Sequence, residues 1–221
     1  MIISTENGSG VDIRWFDSLE STQSHLIEEL KGGRLKAPVC IGASMQTHGR
    51  GSRGNSWIGE KGNLFFSFAV ERSSLPEDLK LESSSIYFAY LMKELLASLN
   101  SKVWLKWPND FYLEEKKIGG VITNLIADTL VCGIGINLIS APENFKTVDI
   151  EIAPYDLTKR YVELFKNLPS WKLIFSNYQI EFENSRVFFT HNNNEKVALK
   201  NAVLLEDGSL ECDGQRIFSL R

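Results

Sequence analysis

The chain has 221 residues, which is enough for one full domain or for one domain with a small addition. Apolar residues make up 43% and charged residues 24% of the sequence, a balance typical of globular proteins rather than of disordered chains. The net charge of −4 disfavours a free-standing nucleic-acid-binding protein, because such proteins are more often basic.

No secretory signal and no membrane-spanning stretch is visible in the sequence. The three cysteines, Cys40, Cys132 and Cys212, are widely spaced, and the first two lie in apolar runs. This pattern predicts reduced, mostly buried thiols and no structural zinc cluster. We therefore expect a cytoplasmic protein that contacts no membrane.

The secondary structure can be predicted from turn residues and from the spacing of apolar residues. Strands are predicted over residues 11–16, 38–43, 63–70, 103–107, 118–127 and 130–138, the last two forming a hairpin. Helices are predicted over residues 23–31, 84–99, 156–166 and 169–182. Residues 47–56 contain three glycines and two arginines and predict a loop.

The character of the sequence changes near residue 185. Short apolar runs then alternate with turn signals at residues 192–194, at Asp207-Gly208 and at Asp213-Gly214, which predicts a small all-β unit. We therefore predict an α+β fold, in which a mixed sheet packs with helices over residues 1–184, followed by a small domain over residues 185–221.

The segment from Gln46 to Trp57 carries the most informative pattern for function. Its glycines let the backbone approach a ligand, and Arg50 and Arg53 can pair with carboxylate or phosphate oxygens. Trp57 offers an aromatic face on which a planar base can stack. The alternative is a surface loop with two solvated arginines.

Two further segments combine lysine with turn residues. In Lys106–Asp110 (KWPND), the amide of Asn109 and the carboxylate of Asp110 follow a predicted strand. They either form a plain turn or help to hold a metal–nucleotide complex. In Lys117–Gly120 (KIGG), the glycines leave a lysine unshielded, so that it either meets an anion in a cleft or lies exposed at a strand edge.

Two more segments predict close packing around a ligand. Gly133–Asn137 (GIGIN) has alternating glycines in a strand, which suggests the approach of a ligand or of another backbone. In Glu20–Gln23 (ESTQ), the hydroxyls either cap the next helix or meet a polar ligand head.

The order and spacing of these five segments resemble the biotin protein ligases, also called biotin–[acetyl-CoA-carboxylase] ligases, from about Val11 to Asn137. The resemblance implies a fold like that of class II synthetases with a small C-terminal SH3-like β-barrel. It also implies an enzyme that forms biotinyl-5′-AMP from biotin and ATP and then transfers biotin to a lysine of a carrier domain.

The same resemblance implies roles for individual residues. Lys117 and Arg50 would be the catalytic residues. Biotin would be bound by Ser21, Thr22, Gln23, Gln46, Gly49, Arg50, Gly51, Ser52, Lys117, Gly119 and Gly120. ATP or the adenylate would be bound by Arg50, Arg53, Trp57, Asn109, Asp110, Lys117 and Asn137. Mg²⁺ would enter with the ATP phosphates, without a direct protein ligand.

The resemblance also sets expectations about partners. The carrier is expected to be the biotin carboxyl carrier domain of a carboxylase, and the ligase is expected to be a monomer or a homodimer. The short segment before Ser21 predicts no DNA-binding head and no repressor role.

One residue departs from the family pattern. Ser52 stands where many members have arginine. Either Arg53 takes over the anion contact through a small backbone shift, or the loop has one cation fewer and, as we hypothesise for that case, holds biotinyl-AMP less tightly. Two alternatives stay open: a lipoate or octanoyl transferase of the same fold, and a non-catalytic module that binds carrier domains.

Overall fold

The computed structural model describes residues 2–7, 10–51, 55–192 and 195–218. Fifteen strands and four α-helices are formed within these ranges. The first part of the chain contains β1 (Ile2–Asn7), β2 (Asp12–Phe16), α1 (Thr22–Lys31), β3 (Val39–Ala43), β4 (Gln46–Arg50), β5 (Ser56–Gly59), β6 (Leu64–Glu71), α2 (Ser84–Ser98), β7 (Trp104–Lys106), β8 (Asp110–Leu113), β9 (Lys116–Ile126) and β10 (Thr129–Ile136). The second part contains α3 (Pro154–Glu163), α4 (Trp171–Phe182), β11 (Phe189–Asn192), β12 (Glu195–Ala198), β13 (Val203–Leu204), β14 (Leu210–Cys212) and β15 (Gln215–Ile217).

Eight strands form one mixed sheet in the order β1-β2-β3-β6-β10-β9-β8-β7. Only β2 and β3 pair in parallel among its described strands, and the other neighbours are antiparallel. Helix α1 packs on one face, with Leu26 against Ile41 and Val131. The large core that includes α2, α3 and α4 covers the other face. The predicted mixed sheet packed with helices is confirmed.

No helix in the described part of the chain combines the length and the apolar composition that crossing a membrane requires.

Local sequence signals explain the elements around the site. The Ser21 side chain caps α1 by accepting a hydrogen bond from the N–H of Ser24 at 3.3 Å, as its position before a helical run predicts. The predicted hairpin is formed by β9 and β10, and Ala127 in its turn has a φ of 51°. Both signals are local, so the sequence alone is sufficient to predict them.

The prediction of a loop over residues 47–56 is wrong for part of that range. Strands β4 and β5 pair with each other, with Gly49 opposite Trp57 and Arg50 opposite Ser56. The pair is an isolated two-stranded sheet in which Thr47, His48 and Arg50 are exposed. A strand made of polar residues and glycines is not predicted from β-propensity, because β-propensity describes strands with one buried face. The structure also contains strands β1 and β8, which the sequence analysis did not predict.

The C-terminal strands are antiparallel, as predicted. Strands β11 and β12 form one pair, and β13, β14 and β15 form a three-stranded sheet. Asp213 and Gly214 have φ values of 50° and 76°, which confirms the tight Asp-Gly turn. Closure of these strands into a barrel and a domain boundary after residue 184 stay predictions.

These strands pack directly on the larger part of the chain. The indole N–H of Trp107 donates to the Gly208 carbonyl at 2.8 Å, and the hydroxyl of Ser83 donates to the Asp207 carbonyl at 2.7 Å. Leu210 and Ile217 belong to the same buried cluster as the helices. The turn around residue 208 therefore fastens the C-terminal strands to the core.

We expect Asp207→Asn to lower the free energy of unfolding by about 1–3 kcal/mol near neutral pH. Burial opposes ionisation of this carboxyl, but hydrogen bonds from the hydroxyl and the N–H of Ser209, at 2.6 and 3.1 Å, and the Arg216 guanidinium outweigh it and lower the pKa of Asp207. The ionised form therefore stabilises the fold fully above the unfolded-state pKa of about 3.9. This stabilisation is lost as the pH falls through the lower folded-state pKa.

Urea unfolding near neutral pH and at about pH 3 checks the prediction, because the difference between the two proteins should shrink in acid. Asp213→Asn is the matched control, since Asp213 is an exposed turn residue. Equal stability of Asp207→Asn and the unmodified protein near neutral pH would contradict the prediction.

Candidate active site

A cleft lies between the N-terminus of α1, the β4–β5 hairpin and strands β9 and β10. It encloses about 480 Å³ of empty space, part of it open to solvent. Its walls combine hydroxyl, amide, charged, aromatic and glycine residues: Ser21, Thr22, Gln23, Gln46, Arg50, Gly51, Trp57, Ser67, Asp110, Lys117, Gly120, Val121, Ile122, Gly133, Ile134 and Gly135.

The floor of the cleft is made by alternate residues of β10. A Cβ atom on Gly133 would lie 2.6 Å from Oε1 of Gln23, and one on Gly135 would lie 3.2 Å from Nε1 of Trp57. Cys132 precedes Gly133, and Ile134 lies between the two glycines. The side chains of both residues belong to the core on the other face of the sheet. Because successive side chains of a strand point to opposite faces, the alternating glycines open the cleft without interrupting the core.

A buried hydroxyl–amide network forms one end of the cleft. Oε1 of Gln46 accepts hydrogen bonds from the N–H of Thr22 at 2.7 Å and from its hydroxyl at 3.1 Å. The hydroxyls of Thr22 and Ser67 are 2.9 Å apart. Sequence reasoning missed Ser67, although a single serine in the apolar run from Leu64 to Val70 is a usable signal for a buried polar contact.

Two buried polar atoms of the cleft lack a hydrogen-bond partner among the described residues: Oε1 of Gln23 and Nε1 of Trp57. The amide nitrogen of Gln23 donates to Oδ1 of Asn124 at 3.0 Å and to the Val131 carbonyl at 3.3 Å. An unsatisfied buried polar atom costs about 1–3 kcal/mol. One acceptor and one donor are therefore available in the cleft wall for a polar ligand.

A β-bulge directs Lys117 into the cleft. Phe111 of β8 pairs with Gly119, but the next residue, Tyr112, pairs with Lys117, so Ile118 is an extra residue in β9. A bulge changes which residues share a face of the strand. Lys117 consequently lies on the same face as Gly120, and both line the cleft.

Two cations and one carboxylate line the described part of the cleft. Nζ of Lys117 donates to Oδ1 of Asp110 at 2.7 Å and lies 5.9 Å from the centre of the Trp57 ring. Arg50 is exposed on β4, and no carboxylate of the described residues forms an ion pair with it. The cleft can therefore bind an anion next to a polar ligand head.

Most of the predicted site residues are brought together. Of the predicted set, the cleft is lined by Ser21, Thr22, Gln23, Gln46, Arg50, Gly51, Trp57, Asp110, Lys117 and Gly120. Ser52 and Arg53 lie outside the described residues.

Four predicted residues are not part of the described cleft wall. Asn109 is buried, and its amide donates to the Val121 carbonyl at 2.5 Å. Asn137 is buried as well, and its amide donates to the Lys146 carbonyl at 3.4 Å. Cβ atoms on Gly49 and Gly119 would meet backbone oxygens, at 2.6 and 2.4 Å. Their contacts support the walls of the cleft, and their ligand roles stay predictions.

Nucleophilic catalysis by a thiol finds no support in the described residues. All three cysteines are free and buried, as predicted for the first two from their apolar surroundings. Burial raises the pKa of Cys40 and of Cys132, so both thiols stay protonated at neutral pH.

The chain belongs to the Biotin/lipoate A/B protein ligase family, whose sequence profile matches residues 15–138. A Helicobacter pylori biotin acetyl coenzyme A carboxylase synthetase, solved with bound biotinylated ATP, is 42% identical and superposes with a TM-score of 0.89. That comparison covers 93% of this chain and 98% of the other.

Two sequence relatives carry related names. The bifunctional ligase/repressor BirA of Escherichia coli is 33% identical over 127 residues, which is 54% of this chain and 38% of the relative. A biotin–[acetyl-CoA-carboxylase] ligase of Mycobacterium tuberculosis is 25% identical over 158 residues, which is 67% of this chain and 59% of the relative. The alignments therefore span well under two thirds of these relatives.

Proposed function

We propose that this protein is an ATP-dependent biotin protein ligase. The observation that carries the proposal is one cleft that combines two unpartnered polar atoms, Oε1 of Gln23 and Nε1 of Trp57, with the cations of Lys117 and Arg50. The 42% identity to a synthetase solved with biotinylated ATP supports the same activity.

The cleft suggests how biotin would lie. Its cyclic urea has N–H groups, one of which would donate to the unpartnered Oε1 of Gln23, and a carbonyl that would accept from the Thr22 hydroxyl once that hydroxyl turns away from Oε1 of Gln46. The hydrocarbon chain would run over Gly133 and Ile122 toward Lys117. The proposed biotin-binding set is completed by Ser21, Gln46, Gly49, Gly51, Ser52, Gly119 and Gly120.

The first reaction joins two anions, so it needs positive charge. A carboxylate oxygen of biotin attacks the α-phosphorus of ATP, a P–O bond forms, and the bond to the leaving pyrophosphate breaks. The Lys117 ammonium would reduce the repulsion between carboxylate and phosphate and would stabilise the charge that develops between them. Arg50 would hold the phosphate oxygens from the other side of the cleft.

Fewer of the observed contacts support the proposed nucleotide-binding residues than support the proposed biotin-binding residues. Trp57 would contact the adenosine, with Arg53, Asn109, Asp110 and Asn137 as the other proposed nucleotide residues. ATP would enter as its Mg²⁺ complex, so the metal is part of the substrate. The described residues contain no group of three His, Cys, Asp or Glu side chains suited to a resident metal ion.

The second reaction transfers the biotinyl group. An unprotonated lysine amine of the acceptor attacks the acyl carbon, the bond to AMP breaks, and an amide forms. We propose the biotin carboxyl carrier domain of a carboxylase as the acceptor, which the names of the relatives support.

Labelled biotin tests the proposal. Purified protein with ATP, Mg²⁺ and a carrier domain should transfer the label to the carrier, and omission of ATP should abolish transfer. Lipoate in place of biotin should release no pyrophosphate. Pyrophosphate release with lipoate and none with biotin would instead favour a lipoate ligase.

We expect Arg50→Ala to speed the dissociation of biotinyl-AMP by about 10- to 150-fold, because an arginine–phosphate contact typically contributes about 1.5–3 kcal/mol. Stopped-flow measurement of adenylate release checks this. Arg72→Ala is the control, since Arg72 is exposed outside the cleft. Unchanged release from Arg50→Ala would remove Arg50 from the adenylate site.

A further inference from the structure

Asn124 contacts the site from outside the cleft wall. It is exposed on β9 and pairs across the sheet with Val131 of β10. Its side-chain oxygen and the Val131 carbonyl are the two acceptors for the amide nitrogen of Gln23, at 3.0 and 3.3 Å. Gln23 itself is buried, with 3% of its surface exposed.

The two acceptors decide which way the Gln23 amide faces. A glutamine amide has a donor end and an acceptor end of nearly the same shape. The Val131 carbonyl can only accept, so the nitrogen faces Val131 and the oxygen faces the opposite way. A flipped amide would place Oε1 of Gln23 against the Val131 carbonyl oxygen and would require the Asn124 amide to flip as well.

The resulting orientation directs an acceptor into the cleft. Oε1 of Gln23 has no partner among the described residues, and a Cβ atom on Gly133 at the floor would lie 2.6 Å from it. A ligand with an N–H group can satisfy this oxygen, whereas a ligand without one leaves it buried and unpaired.

We propose that Asn124 is a positioning residue for substrate specificity: by holding the Gln23 amide it makes the end of the cleft selective for ligand heads that donate N–H groups. This inference rests on the proposed function, because it concerns how the same cleft distinguishes a cyclic urea from a head without N–H groups, such as a dithiolane. Sites built to hydrogen-bond a substrate N–H discriminate strongly against analogues that lack it.

Three variants of the full chain test the proposal. Asn124→Leu is similar in size but cannot accept a hydrogen bond, and Asn124→Asp keeps an acceptor oxygen. Leu125→Asn is the matched control, since Leu125 is the next exposed residue of the same strand. Titration calorimetry would give the dissociation constants for biotin and lipoate, and pyrophosphate release would give kcat and KM.

We expect Asn124→Leu to raise the Kd and the KM for biotin by about five- to tenfold, with kcat, the KM for ATP and the thermal midpoint unchanged. Its preference for biotin over lipoate should fall by the same factor, while Asn124→Asp and Leu125→Asn stay within about twofold of the unmodified protein. Asn124→Ala repeats the measurement with a smaller side chain, in case the leucine disturbs folding.

The outcomes separate the two proposals. An unchanged biotin Kd in Asn124→Leu or Asn124→Ala, or a loss in Asn124→Asp as large as in Asn124→Leu, would overturn the role of Asn124 while leaving the ligase proposal intact. Failure of the unmodified protein to bind biotin would overturn the ligase proposal and this inference together.

Discussion

Replacing Lys117 by alanine is expected to lower the rate of biotinyl-AMP formation by about 100- to 1,000-fold, the range typical for loss of one preorganised electrostatic stabiliser. Lys117 is the cation that the bulge in β9 places on the same face of the strand as Gly120. Its removal also leaves Asp110 without its 2.7 Å partner, which adds an uncompensated negative charge beside the phosphates. Biotin-dependent exchange of pyrophosphate into ATP measures the effect.

The neighbouring residue supplies the control for this experiment. Lys116 is exposed and pairs with Leu113, outside the cleft wall, so Lys116→Ala should keep nearly full activity. The two variants lose the same charge from adjacent positions, so a difference between them isolates the effect of location. Exchange by Lys117→Ala at more than a third of the unmodified rate would show that Lys117 is not the main catalytic residue.

Gly133→Ala is expected to weaken biotin binding by at least about tenfold, while changing the thermal midpoint little. The new Cβ atom would lie 2.6 Å from Oε1 of Gln23 and 3.1 Å from Oγ of Ser67, so the flexible Gln23 amide has to move. Its movement breaks the hydrogen bonds to Asn124 and Val131 and fills the end of the cleft. Titration calorimetry with biotin and thermal unfolding measure the two effects.

The control for this variant is the next residue of the same strand. Cys132→Ala alters the core face of β10 and adds no atom to the cleft, so it should lower stability and leave the biotin Kd unchanged. Gly133→Ala should show the opposite pattern. Tight biotin binding by Gly133→Ala would show that the ligand head does not approach this part of the floor.

Several parts of the site could be predicted from the sequence because their causes are local. Ser21 precedes a helical run, and its cap follows from that position. The alternating glycines at 133 and 135 indicated close approach of a ligand or of another backbone; the groups that the structure shows there are the side chains of Gln23 and Trp57, and approach of a ligand stays a prediction. The glycines after Lys117 left open a contact with an anion in a cleft or an exposed strand edge, the family resemblance favoured the cleft, and Lys117 does line one.

Other parts depend on contacts between distant segments and could not be predicted. The bulge that orients Lys117 is defined only by the register of β9 against β8. The hydrogen bond between Gln23 and Asn124 joins residues 101 positions apart. Asn109, whose nucleotide role stays a prediction, also braces the strand that contains Val121, a contact that its position in a turn motif does not reveal. The sequence alone does not distinguish a residue that stabilises a turn from one that binds a ligand, because both can be the same residue type at the same position.

The alternation of residues along β10 has a consequence for how this protein can change. The glycines at positions 133 and 135 form the floor of the cleft, whereas the side chains at positions 132 and 134 belong to the core, so neighbouring codons carry separate selective pressures. Substitutions at positions 133 and 135 can change substrate preference without loss of thermal stability. Substitutions at positions 132 and 134 can improve stability without loss of substrate recognition. A library that randomises only one of the two sets should therefore yield either new specificity or greater robustness, and seldom both.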